Sequence, residues 1–288
     1  MTRTAQDFLV AALGALTSLL TTLVLVVVDQ RLDFSFYTLT IWFVVPVGAI
    51  CSGFAAASGY YAGSRLFNHR PTPLLLWNMI SFAVGTFFLI HYFEFYFLTV
   101  HGKLVRDFIS FADYLSVVFS HTSLEFRWRG GVKVGEPFEL GSLGYLYAAL
   151  QVLGFCVGGI FVYFHLKSQP YCEDCGKYLV KKFQQTRYSN LPDEFIAVTR
   201  MLMTMFAQCH FQPAVFVHGS TMSATISNAT LSSTLEVKRC KQCNKHWLKF
   251  SVHKLVGNNW REVDDLGYKA FTSEPVSNEC QPEASAKS

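Results

Sequence analysis

The sequence predicts an α-helical membrane protein with four transmembrane helices, followed by a cytosolic α+β domain. Three observations carry this prediction. Only 15% of the 288 residues are charged and 51% are apolar, whereas soluble domains have roughly 25% charged residues, and the mean hydropathy is +0.27. The apolar residues are concentrated in four blocks before residue 167. Two Cys-x-x-Cys pairs follow the last block.

The four apolar blocks have the length of membrane crossings, since about 20 helical residues span the hydrocarbon core. No block alternates with the period of a barrel strand, so helices are the elements that can satisfy the backbone in lipid. The first block continues into Asp29 without a small-x-small cleavage site, which favours an uncleaved helix over a signal peptide. Pro46 is predicted to bend the second helix without ending it. The predicted spans are residues 8–28, 37–63, 74–98 and 143–166.

The lysine and arginine residues next to the spans predict the orientation. With both termini in the cytosol, eight basic residues flank the spans on that side, and five of them follow the last span. The opposing loop, residues 99–142, carries five basic residues matched by five acidic ones. We therefore expect an integral protein of the plasma (inner) membrane with both termini in the cytosol.

The long loop of residues 99–142 is predicted to be an ordered extracytoplasmic cap on the helices. Apolar residues at helical spacing predict a surface helix from Lys103 to Phe119. The alternation of Leu124, Phe126 and Trp128 with charged residues then predicts a short strand that enters a turn.

The predicted spans contain one candidate intramembrane polar pair, His91 and Glu94, three residues apart on one helical face. The pair could lie on a polar path through the membrane. It could instead lie at the interface, where the side chains snorkel or contact the long loop.

Small residues four apart in the second and fourth spans indicate close helix packing. These residues are Gly59 and Gly63, and Gly154 and Gly158.

The clearest chemical signal is the pair of Cys-x-x-Cys hooks after the last span, Cys172/Cys175 and Cys240/Cys243. Tetrahedral zinc needs four ligands at about 2.3 Å from sulfur, and a two-residue gap lets one tight turn present both thiolates to the ion. Gly176 permits the positive φ that such a turn favours. The hooks resemble the knuckles of zinc-ribbon domains, and this resemblance covers the hooks and their flanks. It implies that the four cysteines bind one structural zinc ion.

Other uses of the cysteines remain open from the sequence alone. The hooks are separated by 64 residues, much more than the 15–20 common in compact sites, which departs from the usual ribbon and is compatible with an inserted subdomain. Disulfides would form in an oxidising compartment, and a redox pair would need a thioredoxin-like setting. Cys209, His210 or His246 could replace a ligand. A catalytic zinc ion would leave one coordination position for water, whereas four thiolates close the shell.

The soluble domain is predicted over residues 167–271, with a disordered tail at 272–288 that is rich in Ser, Glu and Pro. Leu191 opens an apolar run that predicts a helix ending near Cys209. The composition from Ser223 to Val237 is typical of strands. Alternating residues around Phe250 predict a strand after the second hook, with a turn before residues 260–263.

The function expected from the sequence is that of a membrane anchor rather than an enzyme. The chain contains no phosphate-binding loop, no nucleophile elbow and no His-Glu-x-x-His helix. We expect the lipid bilayer and a cytosolic protein as partners, with a homo-oligomer as a further option. The modest basic clusters do not favour nucleic acid. The alternative is a small transporter or channel component that the zinc domain regulates.

Overall fold

The computed structural model describes residues 3–32, 35–41, 45–100, 102–124, 138–221, 229–273 and 276. The chain divides into two compact units, Met1–Ser168 and Gln169–Ser288. Most of the predicted strand after Leu124, residues 223–228 of the strand-like segment and most of the predicted tail, 272–288, lie outside the described residues. Within that tail, Thr272 is the last residue of a strand and Val276 is buried in a hydrophobic core. Each unit is described below by itself.

The described part of the first unit is a helical bundle. Its helices are α1 (Arg3–Leu32), α2 (Val47–Phe67), α3 (Pro73–Phe97), α4 (Phe111–Ser120) and α5 (Leu143–Lys167). Three of them, α1, α3 and α5, are long and apolar enough to cross a membrane. The first, third and fourth predicted spans are therefore confirmed as long apolar helices.

The predicted second span, 37–63, has the wrong limits. Its helix, α2, begins at Val47 directly after Pro46, because proline lacks an N–H donor and disfavours helical geometry in the preceding residue. Residues Phe36–Thr38 form a 3-10 turn instead, with Tyr37 buried. At its other end α2 continues to Phe67 and stops at Asn68, which is in the left-handed conformation. Gly, Ala and Ser make up more than half of α2, and α2 is not among the described helices that are long and apolar enough to be candidate spans.

The small residues of α2 and α5 allow close backbone contacts, as their spacing predicts. A Cβ atom added to Gly59 would lie 2.3 Å from the carbonyl oxygen of Leu13 in α1. One added to Gly158 in α5 would lie 2.3 Å from the carbonyl oxygen of Ile50 in α2. Helix α2 therefore packs against α1 on one side and α5 on the other.

The loop between α3 and α5 contains less helix than its apolar spacing predicts. The predicted helix from Lys103 is wrong in its first half, where β1 (Thr99–Val100) and β2 (Lys103–Leu104) form a hairpin and Val105–Asp107 forms a 3-10 turn. Helix α4 starts only at Phe111, because the Ser110 hydroxyl accepts a hydrogen bond from the Asp113 backbone N–H and caps the first turn. Two short strands, β3 (Ser123–Leu124) and β4 (Phe138–Glu139), then pair before α5.

The second unit contains an antiparallel sheet and two helices. A small hairpin, β5 (Tyr171–Cys172) and β6 (Lys177–Tyr178), comes first. The sheet has the order β10-β9-β8-β7, and β11 also pairs with β9. Its strands are β7 (Val180–Ser189), β8 (Leu231–Arg239), β9 (His246–Val256), β10 (Asn259–Glu262) and β11 (Tyr268–Thr272). Helices α6 (Pro192–Ala207) and α7 (Phe211–Thr221) connect β7 to β8.

The core of the second unit lies between these two helices and one face of the sheet. Alternate residues of β8 and β9 point into it, which agrees with the alternation predicted around Phe250. Helix α6 begins at Pro192 with two acidic residues in its first turn, as its sequence predicts. Its apolar side chains meet those of the strands. The buried residues include Phe195, Leu202, Phe206 and Phe211 from the helices, and Leu235, Val237, Leu248 and Phe250 from the sheet.

Candidate metal centre

The first hook is the turn of the small hairpin formed by β5 and β6. Cys172 ends β5, and Cys175 lies in the turn before β6. The Gly176 N–H donates a hydrogen bond to the Cys172 carbonyl oxygen at 2.9 Å. Gly176 has a φ of +61°, which glycine adopts at no steric cost. The turn therefore places the two sulfur atoms of this hook on the same side.

The second hook connects β8 to β9 and repeats the geometry of the first. The Asn244 N–H donates to the Cys240 carbonyl oxygen at 3.1 Å, and Asn244 has a φ of +59°. In addition, the Cys240 N–H donates to the Lys245 carbonyl oxygen at 2.8 Å. Asn244 thus takes the position of Gly176, and asparagine is one of the few residues that visit this conformation routinely.

The long interval between the hooks begins and ends at the same place in the fold. Strand β7 begins soon after the first hook, and β8 ends directly before the second. Because β7 and β8 are antiparallel, Val180 at the start of β7 pairs with Arg239 at the end of β8. This pairing brings the segment after the first hook next to the segment before the second. The described residues of this interval form β7, α6, α7 and β8, which separate the hooks in sequence but not in space.

The four hook cysteines bring their sulfur atoms together. All four Sγ atoms lie within 4.8 Å of one another, and those of Cys172 and Cys243, from different hooks, are 3.6 Å apart. Four ligands at about 2.3 Å from one ion at tetrahedral angles have sulfur atoms about 3.8 Å apart. All four are free thiols. The cluster therefore has the spacing of a four-thiolate metal site and not that of a disulfide.

The hydrogen bonds of the cluster affect the thiols unequally. Burial of Cys240 raises its pKa, but the backbone N–H groups of Cys243 and Gln242, together with side-chain hydrogen bonds to Cys243 and Cys172, outweigh this effect and lower the pKa to about 7. Hydrogen bonding with Cys243, followed by burial, raises the pKa of Cys175 to about 12. Burial also raises the pKa of Cys172. Because four adjacent thiols cannot all ionise without a cation, a bound metal ion must displace their protons.

The residues around the cysteines form a small core of their own. Leu179 is buried with Cys172 and Cys240, and Trp247 packs against them. Lys245 of the second hook forms an ion pair with Asp174 of the first. Both side chains of this pair are exposed, so solvent screening leaves the pair with little stabilising effect. The apolar contacts around the cysteines therefore contribute more than this ion pair to holding the hooks together.

The structure does not bring the other candidate ligands to this cluster. Within the described residues, the group that could hold a metal ion contains only the four hook cysteines. Cys209 is exposed at the end of α6, and His210 follows it. His246 is buried at the start of β9.

The candidate polar pair in α3 is in contact. His91 Nδ1 lies 3.1 Å from Glu94 Oε2. The sequence did not reveal that Tyr37, far away in the chain, donates a hydrogen bond to Glu94 Oε1 at 3.2 Å.

Comparisons with known proteins add no relative. No protein-family model matches the chain, and it matches no curated protein and no solved structure.

Proposed function

We propose that this chain is a multi-pass membrane protein that holds a zinc-stabilised domain at the cytosolic face of the membrane, where the domain binds a protein partner. The observation that carries this proposal is the convergence of four free thiols, from hooks 64 residues apart in sequence, within 4.8 Å. Hooks this far apart in sequence can bring their thiols together only through the tertiary fold of the domain.

The ligand set supports zinc in a structural role. Four thiolates fill a tetrahedral shell and leave no position for a water molecule or a substrate. Two of the ligands, Cys172 and Cys240, are almost fully buried. A closed, partly buried shell stabilises the fold and does not expose the ion to a reactant, so the proposal assigns no catalytic role to the zinc ion.

Membrane anchoring rests on α1, α3 and α5, which have the length and apolarity of spans. We assign α2 as the fourth span because it is 21 residues long and packs against both α1 and α5. An even number of spans leaves both termini on one side, and the basic residues after α5 favour the cytosol. Reduced thiols are expected in that compartment.

The interaction role is tested with matched cysteine variants of the full chain. The protein is cross-linked in intact membranes, solubilised and analysed for bound proteins. We expect a partner that is recovered with the wild type and with Cys209→Ser, but lost with Cys240→Ser. Recovery of the same proteins with all three forms, or of none, would contradict a zinc-dependent interaction role.

A further inference from the structure

The end of the second unit where the two hooks meet carries a basic patch that the proposed function does not use. Its residues come from two segments, residues 177–182 after the first hook and residues 238–245 around the second. The segments are far apart in the sequence, but β7 and β8 pair Lys181 with Lys238. The fold therefore joins two modest clusters into one surface, the hook-end patch. Its members are Lys177, Lys181, Lys238, Arg239 and Lys241.

This end of the unit has an excess of positive charge. Residues 172–182 and 236–245 contain seven basic residues and three acidic ones. Two of the acids, Glu236 and Asp174, already pair with lysines. Zn²⁺ with four thiolates adds two negative charges, so the excess remains positive when the metal site is filled. Every member of the patch except Lys238 is exposed, so these charges are accessible to a ligand.

The opposite end of the same sheet lacks this excess. Residues 187–194 cover the end of β7 and the start of α6, and residues 254–262 cover the end of β9 and β10. Together they contain three basic and three acidic residues. The second unit is therefore polarised, with its positive end at the hooks. A charge distribution of this kind orients a protein toward an anionic surface.

Aromatic side chains lie beside the charges of the patch. Strand pairing places four residues in one row across the sheet, namely Lys181, Lys238, Trp247 and Phe271. Because side chains alternate along a strand, this row lies on the face opposite the core, to which Leu248 belongs. Lys238 Nζ is 5.2 Å from the centroid of the Trp247 ring, and Phe271 is 54% exposed. Lysine beside tryptophan and phenylalanine is typical of surfaces at the boundary between lipid headgroups and acyl chains.

The covalent chain limits how far the first hook can be from the end of α5. Helix α5 ends at Lys167, and β5 begins at Tyr171. Four residue steps of extended chain reach at most about 14 Å, and this limit holds for any arrangement of the two units. If α5 crosses the membrane, the first hook therefore begins close to the lipid headgroups. Anionic headgroups attract Lys and Arg at such distances, which are within about two Debye lengths.

We propose that the hook-end patch binds anionic phospholipid headgroups of the cytosolic leaflet, with Trp247 and Phe271 at the boundary with the acyl chains. This inference rests on the membrane anchoring in the proposed function, and it adds lipid to the partners of the zinc domain. Single-stranded nucleic acid also binds basic surfaces with aromatic side chains. The short link to α5 favours lipid, because it keeps the patch near a bilayer at all times.

The test measures lysine acetylation, residue by residue, in the full chain reconstituted in nanodiscs. One set of discs contains phosphatidylcholine alone, and the other contains equal parts of phosphatidylcholine and phosphatidylserine. We expect Lys177, Lys181 and Lys241 to react several times more slowly in the anionic discs. This protection should disappear in about 1 M salt, where the Debye length is about 3 Å. Lys254 is exposed and lies about 27 Å along β9 from its first residue, so it should react equally in both sets.

Charge-matched double variants separate the patch from the total charge of the unit. Lys181→Gln with Lys241→Gln should lower the docking constant, measured from the protection of Lys177, by about 30-fold, because each charge near an anionic surface contributes about fivefold. Lys254→Gln with Arg261→Gln removes two exposed charges from the opposite end of the sheet and should keep the protection of the wild type. Equal protection in the two double variants would overturn the proposal.

Two further outcomes would also overturn it. One is equal reactivity of the patch lysines in neutral and anionic discs, and the other is protection by added single-stranded DNA but not by anionic lipid. Incorporation into discs and zinc content are measured on the same samples. A chain that does not enter the discs would contradict the membrane anchoring of the proposed function, and this inference with it. A reconstituted, zinc-loaded chain with an unprotected patch would contradict this inference alone.

Discussion

Replacement of Gly158 by alanine tests the close packing of α2 against α5. The added Cβ would lie 2.3 Å from the Ile50 carbonyl oxygen and 2.5 Å from the Phe54 nitrogen. Real Cβ contacts exceed 3.0 Å, so the helices must separate by at least 0.7 Å, the difference between 3.0 and 2.3 Å. Both atoms belong to the backbone, and no side-chain rotation can relieve the contact.

The size of the effect follows from two opposing contributions. Overpacking of a well-packed site costs about 1–3 kcal/mol, and rigid backbone neighbours place Gly158→Ala at the upper end of that range. The exchange of glycine for alanine in a helix gains about 1 kcal/mol. The net loss of unfolding free energy is therefore about 2 kcal/mol, which corresponds to about 30-fold in the unfolding equilibrium constant.

Gly85 in α3 is the matched control, because a Cβ there meets nothing within 4 Å. We expect Gly85→Ala to stabilise the protein by up to about 1 kcal/mol through helix propensity alone. Both variants are unfolded in mixed micelles with increasing dodecyl sulfate, and helix content is followed by circular dichroism. If Gly158→Ala is as stable as Gly85→Ala, α2 and α5 are not packed backbone to backbone.

Three further predictions concern the second unit. Leu202→Ala removes a fully buried side chain of α6 and should lower the unfolding free energy by about 2–5 kcal/mol. Its control, Met201→Ala, changes an exposed position of the same helix and should alter the unfolding free energy by less than about 0.5 kcal/mol. Urea unfolding followed by hydrogen exchange of β8 distinguishes the two variants. Burial, and then the charge of Arg187, lower the pKa of His218 to about 4, below its value of about 6.5 in the unfolded chain. The contribution of neutral His218 to the unfolding free energy is therefore complete above pH 6.5, and about 3 kcal/mol of it is lost as the pH falls towards 4. The urea midpoint of His218→Gln should fall less than that of the wild type over this range. Parallel plots of midpoint against pH for the two proteins would refute this reasoning. Asn244→Gly should bind zinc as tightly as the wild type in competition with a chelator. Asn244→Val should bind about 5- to 30-fold more weakly, since the left-handed conformation, which asparagine tolerates, costs a β-branched residue about 1–2 kcal/mol; equal affinity of the valine variant would contradict the geometry of the second hook.

The hooks were predictable because each one is determined by residues close together in the sequence. Two cysteines separated by two residues form a hook in any suitable turn, and Gly176 marks the first turn in the sequence. Asn244 marks the second turn by the same physical rule, but its signal is weaker because asparagine also occurs in many other conformations. The sequence could not show that the hooks meet, since their meeting depends on the pairing of Val180 with Arg239.

The parts of the fold that escaped prediction lack a clear periodic signal. Strand β7 is largely polar, and its residues do not alternate cleanly between buried and exposed. Helix α7 contains Pro213 and Gly219, which lower the helical signal, yet the proline lies in its first turn, where it is tolerated. The second predicted span failed at Pro46 because apolar composition does not reveal where a helix starts.

The polar cluster at the end of α3 shows the same limit. The contact between His91 and Glu94 is a neighbour relation on one helix, and its spacing predicts it. Tyr37 and Tyr114 reach the same carboxyl group from other elements. Only the tertiary structure brings those hydroxyl groups there, so the sequence indicated the pair and not its partners.

The most direct test of the metal centre is elemental analysis of the purified full chain, with thiol titration before and after chelation. We expect one zinc ion per chain in the wild type and in Cys209→Ser, and none in Cys240→Ser, together with loss of order in the second unit, because metal binding and folding are coupled. Four further thiols should become reactive when the chelator removes zinc from the wild type. Absence of stoichiometric metal, with a disulfide in either hook under cytosolic redox conditions, would contradict the account.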